Sequence, residues 1–114
     1  MNESKKLHIL WITDNPDTAH RMVLLYAANS MLYRLWDSVT VILWGAPVRL
    51  ITENETLQEQ LQIARHAGVH FSACISCAGQ YGVVEKLETL GIEVKPWTEP
   101  LTEIIQGGKP FLSV

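Results

Sequence analysis

The chain carries two residues able to act as sulfur nucleophiles, Cys74 and Cys77, spaced as Cys74-Ile75-Ser76-Cys77. A thiol does chemistry as its thiolate, and the thiolate is favoured by nearby positive charge or by the free N–H groups that open a helix. The pattern before Cys74 reads as a strand, Val69 to Ala73, and the pattern after it reads as a helix beginning at Ser76 or Cys77. Cys74 therefore stands where a strand runs into a helix. In that position its sulfur could accept another sulfur atom as a persulfide, with Cys77 as a resolving thiol. Alternatively, the C-x-x-C pair could close a reversible disulfide. A third reading makes both cysteines small apolar packing residues, as free cysteines often are.

Other side chains could serve a pocket at the same end of the molecule. Trp11, Asp14 and Asn15 follow the first expected strand, and Trp44, Gly45 and Arg49 follow the second. Arg49 is the nearest candidate cation to steady a thiolate or an anionic partner, and His20 could exchange a proton. Each also has an ordinary use: tryptophans fill cores, Asp14 and Asn15 cap helices, and Arg49 can simply be solvated. His66, His70, Cys74 and Cys77 invite a metal reading. However, four residues along a strand separate His70 from Cys74 by about 13 Å, whereas zinc holds its ligands within about 2.3 Å. No metal is expected.

The elements that must position these residues alternate along the chain. Leu7 to Thr13 is a short, nearly continuous apolar run, as expected of a strand covered on both faces. Asp14-Asn15-Pro16-Asp17 should start a helix in which Ala19, Met22, Val23, Tyr26, Ala27, Ser30 and Met31 share one stripe. Leu24, Leu25, Leu32, Leu35 and Trp36 lie opposite, so this helix is apolar nearly all round and points to a subunit interface. Val39 to Trp44 is the second strand, broken by Gly45-Ala46-Pro47, with a short segment Val48 to Ile51 beyond it. Thr52 and Glu55 have capping-box spacing for a helix lined by Leu57, Leu61 and Ala64 and stopped at Gly68. After Cys74 one helix is expected to reach Leu90, followed by a brief strand Ile92 to Val94. A last helix starts at Thr98 or Glu99 and closes at Gly107-Gly108, before a fifth strand, Pro110 to Val114. Strict alternation implies an α/β fold with a mainly parallel sheet and helices on both faces.

Composition bounds the rest. The chain of 114 residues fits one domain, 1–114, and its 47% hydrophobic content is that of a globular protein. A net charge of −3 without a basic stripe argues against nucleic acid as a partner. Segment 18–36 contains His20, Arg21, Asn29 and Arg34, which argues against a membrane span. No export signal is read in Met1 to Lys6 or the run that follows, and free thiols suit a reducing compartment, so a cytoplasmic location is expected.

The strand-helix pattern at the start, the break Trp44-Gly45-Ala46-Pro47-Val48-Arg49-Leu50 and the run Gly68-Val69-His70-Phe71-Ser72-Ala73-Cys74 resemble the DsrE/DsrF-like family, which includes TusD-like sulfur-relay proteins. The likeness extends from Leu7 to Val114. It implies a three-layer α/β/α domain (DsrEFH-like) with a five-stranded, mainly parallel sheet, assembled as a dimer, trimer or hexamer and needing no cofactor. It also implies that the cysteine at position 74 accepts sulfur as a persulfide and passes it to a partner protein's thiol, a sulfurtransferase-like carrier at most. Two departures stand out. Many relatives have Asn where this chain has Ser76, and Cys77 is an additional thiol.

Overall fold

The protein is described by a computed structural model covering residues 5–114. Residues 1–4, which enter the reading of the N-terminus as free of an export signal, lie outside the described part. Five strands, β1 (Lys6–Trp11), β2 (Ser38–Leu43), β3 (His70–Cys74), β4 (Glu93–Lys95) and β5 (Phe111–Ser113), form one sheet in the order β4-β3-β2-β1-β5. Every neighbouring pair is parallel, which sharpens the expectation of a mainly parallel sheet.

This order determines where the helices lie. From β1 to β4 the chain steps in one direction across the sheet. Right-handed crossovers then place all the intervening helices on one face. These are α1 (Pro16–Thr18), a π-helical stretch (Ala19–Leu24), α2 (Leu25–Leu32), α3 (Ala46–Glu53), α4 (Glu55–His66), α5 (Ile75–Tyr81) and α6 (Val84–Thr89). The return from β4 to β5 crosses the whole sheet on the opposite face, and α7 (Thr98–Gln106) is its helix. The layers are therefore α/β/α but unequal.

Side-chain burial follows that inequality. Leu7, Ile9 and Trp11 of β1, Val39, Val41 and Leu43 of β2, and Phe71 and Ala73 of β3 enter one core with Val23, Leu24, Val48, Leu61 and Leu87 from the helices. Burying each large side chain contributes about 1.5–3 kcal/mol. The alternate residues of β1, His8 and Leu10, are only half-buried, because α7 alone covers them. The first strand is thus not the two-sided apolar strand that its sequence suggested.

Local signals explain most of the helix boundaries and correct several expectations. Asn15 caps α1, its Oδ1 accepting from the Thr18 N–H at 2.9 Å, with Pro16 in the first turn. The Val48–Ile51 segment lies within a full helix, α3. The cap of α4 is Asn54, which accepts from the Leu57 N–H at 2.9 Å, and not Thr52, whose hydroxyl donates to the Arg49 carbonyl. The expected single helix from Ser76 or Cys77 to Leu90 is two, because Gly82 adopts φ 67° and ends α5. In the first helix the π-helical stretch widens one turn and re-aims side chains within it, while Ala19, Val23, Ala27 and Ser30 keep the expected inward stripe. Leu24 becomes buried and Met22 exposed, the reverse of their expected places, while Leu25, Leu32 and Leu35 remain exposed. No helix among the described residues is long and apolar enough to cross a membrane.

Candidate functional site

The site is built at the carboxyl ends of β2 and β3, central strands of the sheet. In a parallel α/β sheet this is the edge where loops and helix starts converge. Alternation along β3 sends Phe71 and Ala73 into the main core and turns Ser72 and Cys74 to the face under α7.

Cys74 ends β3 in an extended conformation, φ −67° and ψ 123°, and is the N-cap residue of α5. Its residue is 4% exposed. The strand-to-helix junction thus lies where the sequence placed it, and the helix starts even closer to the thiol, at Ile75. Helix starts leave N–H groups without intrahelical partners, yet the Cys74 side chain makes no capping hydrogen bond to them. Ile75 and Ser76, the first two residues of α5, are exposed.

Cys77, the third residue of α5, is half-buried, and its Sγ accepts from the Gly45 N–H at 3.3 Å. Gly45 follows β2 with φ 79° and ψ −132°, a conformation open essentially to glycine. That geometry aims the amide at the sulfur. Burial pushes the Cys77 thiol above its ordinary range; the Gly45 amide pulls it back, and charge repulsion and hydrogen bonding with Cys74 add to the rise. The helix-start amides expected to serve Cys74 make no hydrogen bond to it, whereas the amide of Gly45, after β2, serves its neighbour Cys77.

Trp44 is half-buried beside Gly45, and its backbone N–H donates to the Trp11 carbonyl at 3.1 Å, which ties the ends of β1 and β2 together. Arg49 is exposed on α3 and pairs with Glu53 at 3.3 Å. His20 is half-buried in the π-helical stretch, and Asp14 is exposed in the turn before α1. Among the described residues no hydrogen bond or ion pair joins Arg49, His20 or Asp14 to either thiol. His66 lies in the last turn of α4, and His70 faces Glu93 at 3.5 Å. No three metal-ligating side chains converge among the described residues.

One feature of the site was not read from the sequence. Ser72, fully buried two residues before Cys74, accepts from the Trp97 indole N–H at 2.7 Å and donates to the Glu93 carbonyl at 3.0 Å. This pins the β4–α7 connection against β3. Its only sequence signal is a hydroxyl at an inward position of an otherwise apolar strand.

The family model of the DsrE/DsrF-like family matches residues 6–106. The chain belongs to the DsrE/DsrF-like family. That family is generally associated with sulfur relay. A conserved protein of unknown function, BT1422 from Bacteroides thetaiotaomicron, is 37% identical with a TM-score of 0.93, over 96% of this chain and 95% of its own. The ychN protein from E. coli shares the DsrE-like fold at a TM-score of 0.65 and 13% identity, over 96% of this chain and 99% of its own. No curated protein matches the chain.

Proposed function

We propose that this DsrE-like protein is an intracellular sulfur carrier that accepts sulfur as a persulfide on Cys74 and passes it to a partner protein's thiol. The observation that carries the reading is the position of Cys74: the last residue of a central parallel strand and the N-cap of α5, with a second thiol one turn away. In loading, the Cys74 thiolate attacks the outer sulfur of a donor persulfide, whose S–S bond breaks as the donor thiolate leaves. In unloading, an acceptor thiolate attacks the same sulfur and Cys74 leaves as thiolate. The sulfur keeps its oxidation level, so no external oxidant is needed. Because Cys74 is covered and Ile75 and Ser76 are exposed, transfer requires the first turn of α5 to open toward the partner. Arg49, His20, Asp14 and Trp44 complete the proposed surroundings.

The exposed stripe of Met22, Leu25, Leu32 and Leu35 supports assembly as a homo-oligomer. Replacing Leu25 by Glu should shift the sedimentation coefficient to that of a monomer, and an unchanged value would exclude this face.

The placing of both thiols at the start of α5, Cys74 as N-cap and Cys77 in the first turn, supports a second reading, a dithiol module. In it the Cys77 thiolate attacks the inner sulfur of a Cys74 persulfide, forming the Cys74–Cys77 disulfide and expelling hydrosulfide. Intact mass after treatment with a persulfide donor separates the two. A carrier gains one sulfur atom, loses that ability in Cys74→Ser and keeps it in Cys77→Ser. A dithiol module instead loses two hydrogens and releases sulfide, and needs both cysteines. No adduct and no disulfide would overturn both.

A further inference from the structure

A cavity of about 720 Å³ opens under α7, on the face of the sheet away from the main core. Its size falls in the range of about 300–1,000 Å³ that holds small organic ligands. Pro100 and Ile104 of α7, with Trp97 and Pro110, give it apolar walls. Lys6 from β1, Lys95 from β4 and Lys109 ahead of β5 supply three ammonium groups around it, against the single carboxylate of Glu103. Neither cysteine lines it, so it is separate from the thiol site.

His8 projects from β1 into this cavity, and its Nδ1 is buried without a hydrogen-bond partner among the described residues. An unpaired ring nitrogen is a polar group that a ligand reaching His8 would satisfy, and this favours binding. Burial, and then the charges of Lys6 and Lys95, hold His8 below the ordinary histidine range. The charges facing the imidazole are thus mainly positive, with Glu103 the opposing group and Glu93 occupied by Lys95 at 3.8 Å and His70 at 3.5 Å. Lys95 also lies 4.5 Å over the Trp97 ring, which holds its ammonium at the junction of the charged and apolar walls.

From the cavity, the unpaired Nδ1 and the lysines that ring it, we infer that this site binds a small amphipathic carboxylate, its charge between Lys6, Lys95 and His8 and its apolar body against Trp97 and Ile104. The lysines select an anion, and the apolar walls select one that carries a hydrocarbon or aromatic body, which inorganic phosphate lacks.

The test uses the full chain and a matched pair of probes, 2-naphthoate and its neutral isostere 2-naphthamide, followed by NMR of the tryptophan indole and histidine ring signals. Naphthoate should bind at least about tenfold more tightly, as expected of a charge-assisted contact, and should shift the Trp97 indole and His8 ring signals. Lys95→Met should lower naphthoate affinity to that of the amide. Glu103→Gln should raise it, a gain that misfolding cannot imitate. Equal affinity of the two probes, unshifted Trp97 indole and His8 ring signals, or a Glu103→Gln variant that binds naphthoate no better would overturn the assignment. Displacement of naphthoate by inorganic phosphate at equal concentration would also overturn it, since charge alone would then suffice.

Discussion

Replacing Ser72 by Ala probes how firmly the second face of the sheet is fastened beneath Cys74. The change removes one oxygen without opening a cavity of any size, so its cost is almost wholly that of the stranded partners. Trp97 is 4% exposed, and its indole N–H donates to Ser72 Oγ at 2.7 Å. Without that acceptor the donor is left unsatisfied away from water, a loss of about 1–3 kcal/mol. The Glu93 carbonyl loses its 3.0 Å donor as well, but it lies at the sheet edge, where water can replace it. A total near 2 kcal/mol should lower the urea midpoint by about 1 M if the slope is about 2 kcal/mol/M. Trp97→Phe removes the donor together with part of the ring and should cost about as much. The double variant should be barely less stable than Trp97→Phe alone, a coupling of at least about 1 kcal/mol. Additivity within about 0.5 kcal/mol would refute the claim that the two side chains act as one fastening.

Three further outcomes follow from the geometry. Gly45→Ala places a side chain in open space but forces it into a backbone conformation glycine alone tolerates, so thermal and urea unfolding should show a loss of about 1–3 kcal/mol. Asn54→Ala should cost about 1 kcal/mol through loss of the α4 cap, measured by the same unfolding curves, while Thr52→Ala should cost distinctly less. The Cys77 thiol is raised by burial, so its folded-state stabilisation is complete below the unfolded thiol range and is lost as pH climbs through the raised value. Stability should therefore fall on the alkaline side in wild type and less so in Cys77→Ser, and iodoacetamide should label Cys77 more slowly than a free thiol at pH 8.

The framework was legible because its strands carry strong local signals. The β3–α5 junction was readable from Val69 to Cys74, where an apolar run meets a helix pattern, and this located the thiol. The helix starting after Asp14-Asn15-Pro16 was equally plain. What escaped was decided by geometry that spacing does not encode. A π-helical stretch turned Leu24 in and Met22 out, because a widened turn re-aims the side chains within it, while Ala27 and Ser30 beyond it keep their inward places. Gly82 divided an apolar pattern that reads as one helix, since a left-handed glycine within a periodic run looks like a tolerated interruption. Thr52 and Asn54 compete for the start of α4, and the choice depends on where α3 ends. At the site, Cys74 and Cys77 were identified from their types and spacing, whereas the Gly45 amide beside Cys77 is a product of β2 packing next to β3. Ser72 and Trp97 meet across 25 positions, and no local pattern announces that pairing.

The proposed function stands on Cys74 holding transferable sulfur. Its most direct measurement is a count of cyanide-labile sulfane sulfur per chain after loading from a persulfide donor and removal of the donor, with peptide mapping of the carrier residue. A Cys74 carrier holds one sulfur per chain, mapped to Cys74, absent from Cys74→Ser and discharged on addition of an acceptor thiol. Sulfur that stays bound in Cys74→Ser, or that maps to Cys77 in the wild-type chain, would contradict it.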